Sequence, residues 1–291
     1  KPDLVILIDY PDFNLALAKT AKKYGRRVFY YISPQVWAWR KGRIGKIRRF
    51  VDRMAVILPF EYRLYAEAGV DVTFVGHPLL DAVKTKYSPE EAQKKFGLQE
   101  VKTTVGILPG SRPSEVVKLL PGMLKAAEII REKLPSVQFI LPIADTLEME
   151  FVSRITRQSP VEVRLVCHDT YDAVSSADIV MVASGTATLE TALLGIPMVI
   201  VYKVSAFTYL IGKTFVKVDN IGLVNIIAGK TIVPELIQEE VNPERIAAGI
   251  MDILADKEKI SDIKEALSKI RGKLGDPGAA ERAARLAYET I

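Results

Sequence analysis

Short runs rich in Val, Ile and Leu alternate along the chain with segments of helical periodicity. Nine of these runs predict strands, at 4–9, 28–32, 54–59, 72–76, 104–109, 137–143, 163–167, 179–183 and 198–202. Their almost continuous apolar character predicts burial on both faces, as in a parallel sheet. Between them, 13–24 and 60–68 read as helices. In a third helix Val116, Leu120, Met123, Ala127, Ile130 and Leu134 recur at steps of three and four, and Pro121 is expected to kink or restart it. Strand–helix alternation over the whole length predicts an α/β fold built from doubly wound sheets.

The polar stretch 81–103 is the best place for a boundary. It holds Ser88-Pro89-Glu90-Glu91, a helix-start signature, and Gly97, a helix stop. The expected organisation is a first domain at 1–88, a second at 101–275, and a terminal helix at 276–291 after the breaker Gly275-Asp276-Pro277. The first domain is lopsided, with four strands in its share of chain. The sequence begins Lys1-Pro2-Asp3 and runs straight into apolar residues, as though it starts inside a longer protein.

Composition narrows the classes. Of 291 residues, 49% are hydrophobic and 26% charged, values that exclude disorder and collagen-like repeats. The single cysteine, Cys167, leaves no internal disulfide framework, and the two histidines, His77 and His168, make a His-rich metal centre improbable. The longest apolar stretch, 192–202, is interrupted by Gly195 and Pro197, and falls short of the roughly 18 residues needed to span a bilayer. The net charge of +5 is concentrated: seven basic residues and one acid lie between Arg40 and Arg53.

Several strand ends carry candidate chemistry. Gly110-Ser111-Arg112 follows a buried strand and precedes a helix, where backbone N–H groups and an Arg can receive phosphate; a tight turn with a surface Arg is the equal alternative. Ser184-Gly185-Thr186 repeats the arrangement, and Glu190, one turn on, could accept from two ribose hydroxyls. Read alone, that segment is a capping motif with Thr186 at the N-cap. Two such loops in one domain favour a nucleotide diphosphate site. Asp9, at the end of the first strand, suits a general base pointing into a crevice, and Asp12 reads as the N-cap of the next helix; a capping role for both is the more frequent case. His77 is expected to set a turn or touch ligand. No Asp-x-Asp pair occurs.

Trp37, Trp39 and Arg40 stand before a segment that puts Ile44, Ile47, Val51 and Met54 on one stripe. A basic amphipathic helix beside aromatics suggests contact with anionic lipid or nucleic acid, and an ordinary helix packed on a sheet is the commoner fate. Phe207, Tyr209 and Leu210 form a second apolar candidate, flanked by lysines, with a core helix as the equal alternative.

The motifs Ile8-Asp9-Tyr10-Pro11-Asp12-Phe13-Asn14, 33–40, Leu58-Pro59-Phe60-Glu61, Val75-Gly76-His77-Pro78, 108–112, 183–190, 225–229 and 235–238 together resemble the lipid-A-disaccharide synthases, in that family's order. The resemblance implies two Rossmann-like domains of the GT-B kind. It implies an inverting transfer from UDP-2,3-diacylglucosamine to the 6-hydroxyl of 2,3-diacylglucosamine 1-phosphate (lipid X), releasing UDP. Asp9 then matches the family's candidate base, and Arg112 would stabilise the leaving UDP. Glu190 would hold the ribose, and Asn225 would line a donor site with Gly110, Ser111, Ser184, Gly185 and Thr186. No cofactor or metal is expected. Acyl-chain or membrane contact falls to Trp37, Trp39, Arg40, Phe207, Tyr209 and Leu210.

The expected partners are the two acylated substrates and anionic lipid on the cytoplasmic face of an inner membrane, with no nucleic acid; a homodimer is left open. Family members carry an N-terminal Gly-rich Ser-Gly-Asp segment, so roughly 80 to 90 residues of the first domain are expected to be absent here. The alternatives are another UDP-sugar enzyme of the same architecture (a MurG-like transferase or a UDP-GlcNAc 2-epimerase) or a basic membrane- or RNA-binding module.

Overall fold

Each apolar run becomes a strand, and every strand pairs in parallel with its neighbour. The computed structural model describes residues 1–37, 42–204 and 220–291. Trp39, Arg40, Phe207, Tyr209 and Leu210 therefore lie outside the described residues. The chain divides into two units, the first from Lys1–Ala82 and Arg271–Ile291, the second from 83–204 and Asn220–Ile270 among the described residues.

In the first unit β1 (Leu4–Ile8), β2 (Arg27–Tyr31), β3 (Arg53–Val56) and β4 (Val72–Phe74) lie in the order β1-β2-β3-β4. Residues along β2 alternate between two cores. Val28 and Tyr30 pack with Leu15, Ala18 and Ile47 from α1 (Pro11–Lys23) and α2 (Arg43–Phe50). Phe29 faces the other way, onto Ala283 and Ala287 of the last helix, Ala279–Tyr288. That helix is fastened at three points. Arg282 Nε donates to the Val75 carbonyl at 2.9 Å, Arg27 to the Thr290 carbonyl at 2.9 Å, and Arg53 pairs with Glu289 at 2.9 Å. Ile6 and Ile8 of β1 and Phe13 of α1 are exposed.

Only half of the expected stripe lies in α2: Ile47 is buried and Ile44 packs against the same core, while Val51 is the C-cap and Met54 reaches that core from β3; Lys46, Arg48 and Arg49 face solvent. Asp12 corrects its expected role. The helix begins two residues earlier, at Pro11, with Tyr10 at the N-cap; Asp12 sits inside the first turn, where its carboxylate pairs with Arg43. Proline at the first helical position sacrifices no bonded N–H, and its fixed φ starts the turn.

The second unit holds β5 (Thr103–Leu108), β6 (Val137–Ile143), β7 (Val163–Cys167), β8 (Ile179–Ala183), β9 (Met198–Tyr202) and a short β10 (Glu235–Ile237). Their order is β10-β9-β8-β5-β6-β7, so the winding reverses between β5 and β8. This is a doubly wound sheet with its topological switch point at those two strands. Ser88 caps the helix Pro89–Phe96 reciprocally with Glu91, and Gly97 ends it with φ 68°, as the sequence signature predicts. Helix Pro113–Lys133 runs unbroken through Pro121. The carbonyl that proline leaves without a donor belongs to Val117, which is exposed, so water can take the place of the lost bond.

Candidate active site

The loops after β5 and β8 diverge at the switch point, and every donor-site candidate except Asn225 sits on them or just beyond. After β5 the backbone turns at Gly110 with φ 113°. A Cβ there would stand 2.9 Å from the Glu115 Cβ, so glycine is required on both counts. Glu115, in the first turn of the following helix, gathers the loop's donors. Its carboxylate accepts from Ser111 N at 3.1 Å and Arg112 N at 3.3 Å, and pairs with the Arg112 guanidinium at 2.7 Å. The Arg112 side chain is 76% exposed. The two loop amides and the Arg112 guanidinium thus converge on one carboxylate, that of Glu115.

After β8, Ser184 N is tied to the Val201 carbonyl at 2.9 Å and the helix Thr186–Leu193 begins. The N-cap is Gly185 and not Thr186, which is the first helical residue. Glycine has no side-chain oxygen to cover the first amides, so this helix start receives no side-chain cap. Uncapped amides and the positive end of the helix dipole suit a phosphate. Glu190 lies one turn in and accepts from the Tyr171 hydroxyl at 3.1 Å, Tyr171 belonging to the helix Thr170–Ser175. Burial raises the Glu190 pKa against the lowering effect of that bond. Burial and the Glu190 charge together push the Tyr171 hydroxyl up to about 12. His168, at the end of β7, is exposed and pairs with Asp145 at 3.0 Å. Among the described residues no three His, Cys, Asp or Glu side chains converge as metal ligands would.

Asn225, the remaining residue expected at the donor site, is placed differently from the others. It is fully buried in the helix Leu223–Ala228, and all four of its bonding positions are used. It donates to the Val233 carbonyl at 2.9 Å and to Glu235 at 2.6 Å, and accepts from Ile232 N at 2.8 Å and Val233 N at 3.1 Å. Glu235 also takes Ile221 N and Gly222 N. The pair folds 220–235 onto β9 and β10. Asn225→Ala strands these groups and is expected to destabilise the protein by about 2–4 kcal/mol, read as a lower urea midpoint at unchanged slope.

In the first unit Asp9 follows β1, and its position is over-determined. Asp9 and Tyr10 are both left-handed, with φ 46° and 41°, a strain of about 1–3 kcal/mol each for residues with a Cβ. The clamp is Asn14 and Tyr30. The Asp9 carbonyl accepts from Asn14 Nδ2 at 2.7 Å and from the Tyr30 hydroxyl at 2.6 Å, and Asn14 also reaches the Ile8 carbonyl at 3.0 Å. Burial, then the Asp9 charge, raises the Tyr30 pKa, so the hydroxyl stays protonated as a donor. The Asp9 side chain is exposed at the carboxyl end of the sheet. Sequence reading attached no role to Tyr30, because nothing local links it to Asp9; their strands are neighbours only in the sheet.

Glu61 is the other residue missed. It is 1% exposed in the first turn of α3 (Pro59–Glu67) and accepts from Leu58 N at 3.3 Å and from the Trp37 indole N–H at 3.2 Å. Phe60 meets the Trp37 ring edge-on at 5.1 Å. Trp37 is thereby tied into its own unit, half-buried, and is not presented as a free aromatic anchor. Burial, set against hydrogen bonds from Ser33, Leu58 and Trp37, pushes the Glu61 carboxyl up to about 7. Buried His77 moves down to about 4, its Nδ1 accepting from Leu79 N at 3.2 Å, which makes it the turn-setter of the two expected roles.

These shifts act on stability in opposite senses. Glu61 binds its proton more tightly folded than unfolded, so its contribution is full below pH 4.5 and is lost as pH rises through 7. His77 binds its proton more weakly folded, so its contribution grows with pH from 4 to 6.5. Glu61→Gln removes only the first. The parent's stability minus that of the variant is expected to fall by about 2.5 kcal/mol between pH 5 and 8, measured by urea unfolding at both.

Two parallel α/β units, one with its crevice at a switch point bearing two glycine loops, define a GT-B-type architecture. Solved structures agree. A UDP-GlcNAc 2-epimerase from Neisseria meningitidis bound to UDP-GlcNAc superposes with TM-score 0.66 at 13% identity, over 99% of this chain and 76% of that one. The S. aureus MnaA–UDP co-structure gives 0.67 at 12%, over 100% and 77%. Sequence carries the assignment further. The lipid-A-disaccharide synthetase family matches residues 1–289. The lipid-A-disaccharide synthase of Syntrophus aciditrophicus is 61% identical over all of this chain and 76% of its own length, and that of Geobacter metallireducens 49% over the same shares. The chain belongs to the lipid-A-disaccharide synthetase family, a family of glycosyltransferases; the epimerase and binding-module alternatives are not favoured.

Proposed function

We propose that the second unit binds the UDP-sugar donor at the diverging loops after β5 and β8, and that Asp9 of the first unit is the base that activates the acceptor. The observation that carries this reading is that two glycine loops, each opening a helix, follow the neighbouring strands β5 and β8 at one switch point. The acceptor's 6-hydroxyl oxygen bonds to C1 of the donor sugar as the bond from C1 to the UDP oxygen breaks. The hydroxyl proton passes to Asp9, and the charge that develops on the diphosphate is met by Arg112 and by the amides of Ser111 and Thr186. Arg112 exchanges Glu115 for the diphosphate, and Glu190 accepts from the ribose hydroxyls. Asn225 acts by holding the loop 220–235, without touching the donor.

Among the described residues no helix is long and apolar enough to cross a membrane. Both substrates carry acyl chains, and the basic surface of α2 supports a peripheral contact with anionic lipid on the cytoplasmic face of an inner membrane. The test is disaccharide formation from UDP-2,3-diacylglucosamine and 2,3-diacylglucosamine 1-phosphate, followed by mass spectrometry. Turnover of unacylated UDP-sugars alone, with none of the acylated pair, would overturn the substrate assignment.

A further inference from the structure

The first unit has a second concave feature, which the reaction above does not use. α1 and α2 lie side by side and enclose a groove of 1260 Å³. Its lining includes Leu15, Ala16, Phe50 and two glycines, Gly42 and Gly45, where an added Cβ would meet nothing within 4 Å. The space above the glycines is therefore open, and the floor is largely apolar.

The walls are cationic. Lys19, Lys22, Lys23, Arg43, Lys46 and Arg49 line the groove against a single carboxylate, Asp12. Two of the six are neutralised, Lys22 by Asp52 at 2.6 Å and Arg43 by Asp12. Lys19, Lys23, Lys46 and Arg49 have no carboxylate partner among the described residues. Like charges ringing a concavity with a low-dielectric floor focus a positive potential that a bound anion relieves.

Position adds to charge. The groove's head is formed by Pro11 and Asp12, which directly follow Asp9 and Tyr10. Lys46 stands about one helical turn below Arg43, and Lys19 about 12 Å below the start of α1. The lining suits an amphiphile with an apolar part and an anionic group of more than one charge, and the proposed role of Asp9 adds a hydroxyl able to reach the head of the groove. A phosphomonoester carries about −1.5 to −2 near neutral pH, enough to engage two lysines.

We infer that the groove between α1 and α2 is the subsite for the phosphorylated end of the acceptor glycolipid, its phosphate held by Lys19 and Lys46 and an acyl chain laid along the apolar floor. This rests on the reading of Asp9 as the acceptor's base and adds what recognises the acceptor. It makes the first unit select a sugar phosphate over the corresponding free sugar.

Binding in neutral detergent tests the subsite apart from turnover. The parent chain should bind 2,3-diacylglucosamine 1-phosphate about tenfold more tightly than its dephosphorylated analogue. Lys19→Glu/Lys46→Glu should abolish that preference, while UDP affinity stays at the parent's value. Both lysines are exposed, so the core is untouched, and Lys19→Ala/Lys46→Ala provides a milder version with the same expected direction. Lys257→Glu/Lys264→Glu, two exposed positions elsewhere, makes the same change in net charge and should leave the preference intact.

A parent that binds both glycolipids equally would overturn the subsite. So would a groove variant that keeps the preference but loses association with phosphatidylcholine vesicles containing about 30% phosphatidylglycerol, since the lysines would then read a lipid surface. Failure of the parent to bind UDP would count against the donor site and leave the phosphate preference as a separate result.

Discussion

Asp9→Asn is expected to lower kcat by about 10³-fold with UDP affinity unchanged, within the 10²–10⁴ that a positioned general base contributes. The substitution keeps the size of the side chain and removes its ability to take a proton. The left-handed pair Asp9–Tyr10 aims the carboxylate, and two side chains hold that turn through the Asp9 carbonyl: Asn14 from the next helix and Tyr30 from the neighbouring strand. None of these bonds involves the Asp9 carboxylate, so the variant should fold and melt as the parent does. Steady-state rates at saturating donor and acceptor, with UDP titration in parallel, give the answer. A variant retaining a tenth of the parent's kcat would remove Asp9 from the reaction.

Arg112→Ala should cost about 2–4 kcal/mol of transition-state stabilisation, the effect of losing one donor to a developing oxyanion. The Arg112 side chain is mostly exposed, and its ion pair with Glu115 has little net worth at the surface. Its loss should therefore leave the unfolding midpoint almost unchanged while kcat/KM falls about 10²-fold or more. The split between stability and rate separates a phosphate ligand from a surface turn, the two readings that spacing alone left level. Unchanged kcat/KM would restore the turn.

Much of the architecture was legible locally. Four of the nine expected strands, 137–143, 163–167, 179–183 and 198–202, match the observed bounds, because a strand buried on both faces needs an apolar residue at each position and announces itself without a period. β10 escaped because Glu235–Ile237 is three residues long and only half-buried, too short for any pattern. The cap assignments at Asp12 and Thr186 slipped by one or two residues. Side-chain oxygens near a helix start compete for the N-cap, and the backbone of Tyr10 and Gly185 settled the matter. Trp37 read as a free aromatic because its partner, Glu61, is 24 residues away.

The sequence by itself determined the strands, the helices, the two glycine loops and the acid at the end of β1, since each depends on neighbours within a few positions. Tertiary structure alone decided which of those loops follow neighbouring strands. Residues 110–112 and 184–186 leave the sheet side by side only because β5 and β8 pair where the winding reverses. It likewise buried Asn225, spending all its hydrogen bonds on 232–235, and brought lysines from two separate helices around one groove. Local periodicity records which residues turn inward. Strand order, buried bond partners and facing helices are set by long-range packing, which leaves no mark at any single position.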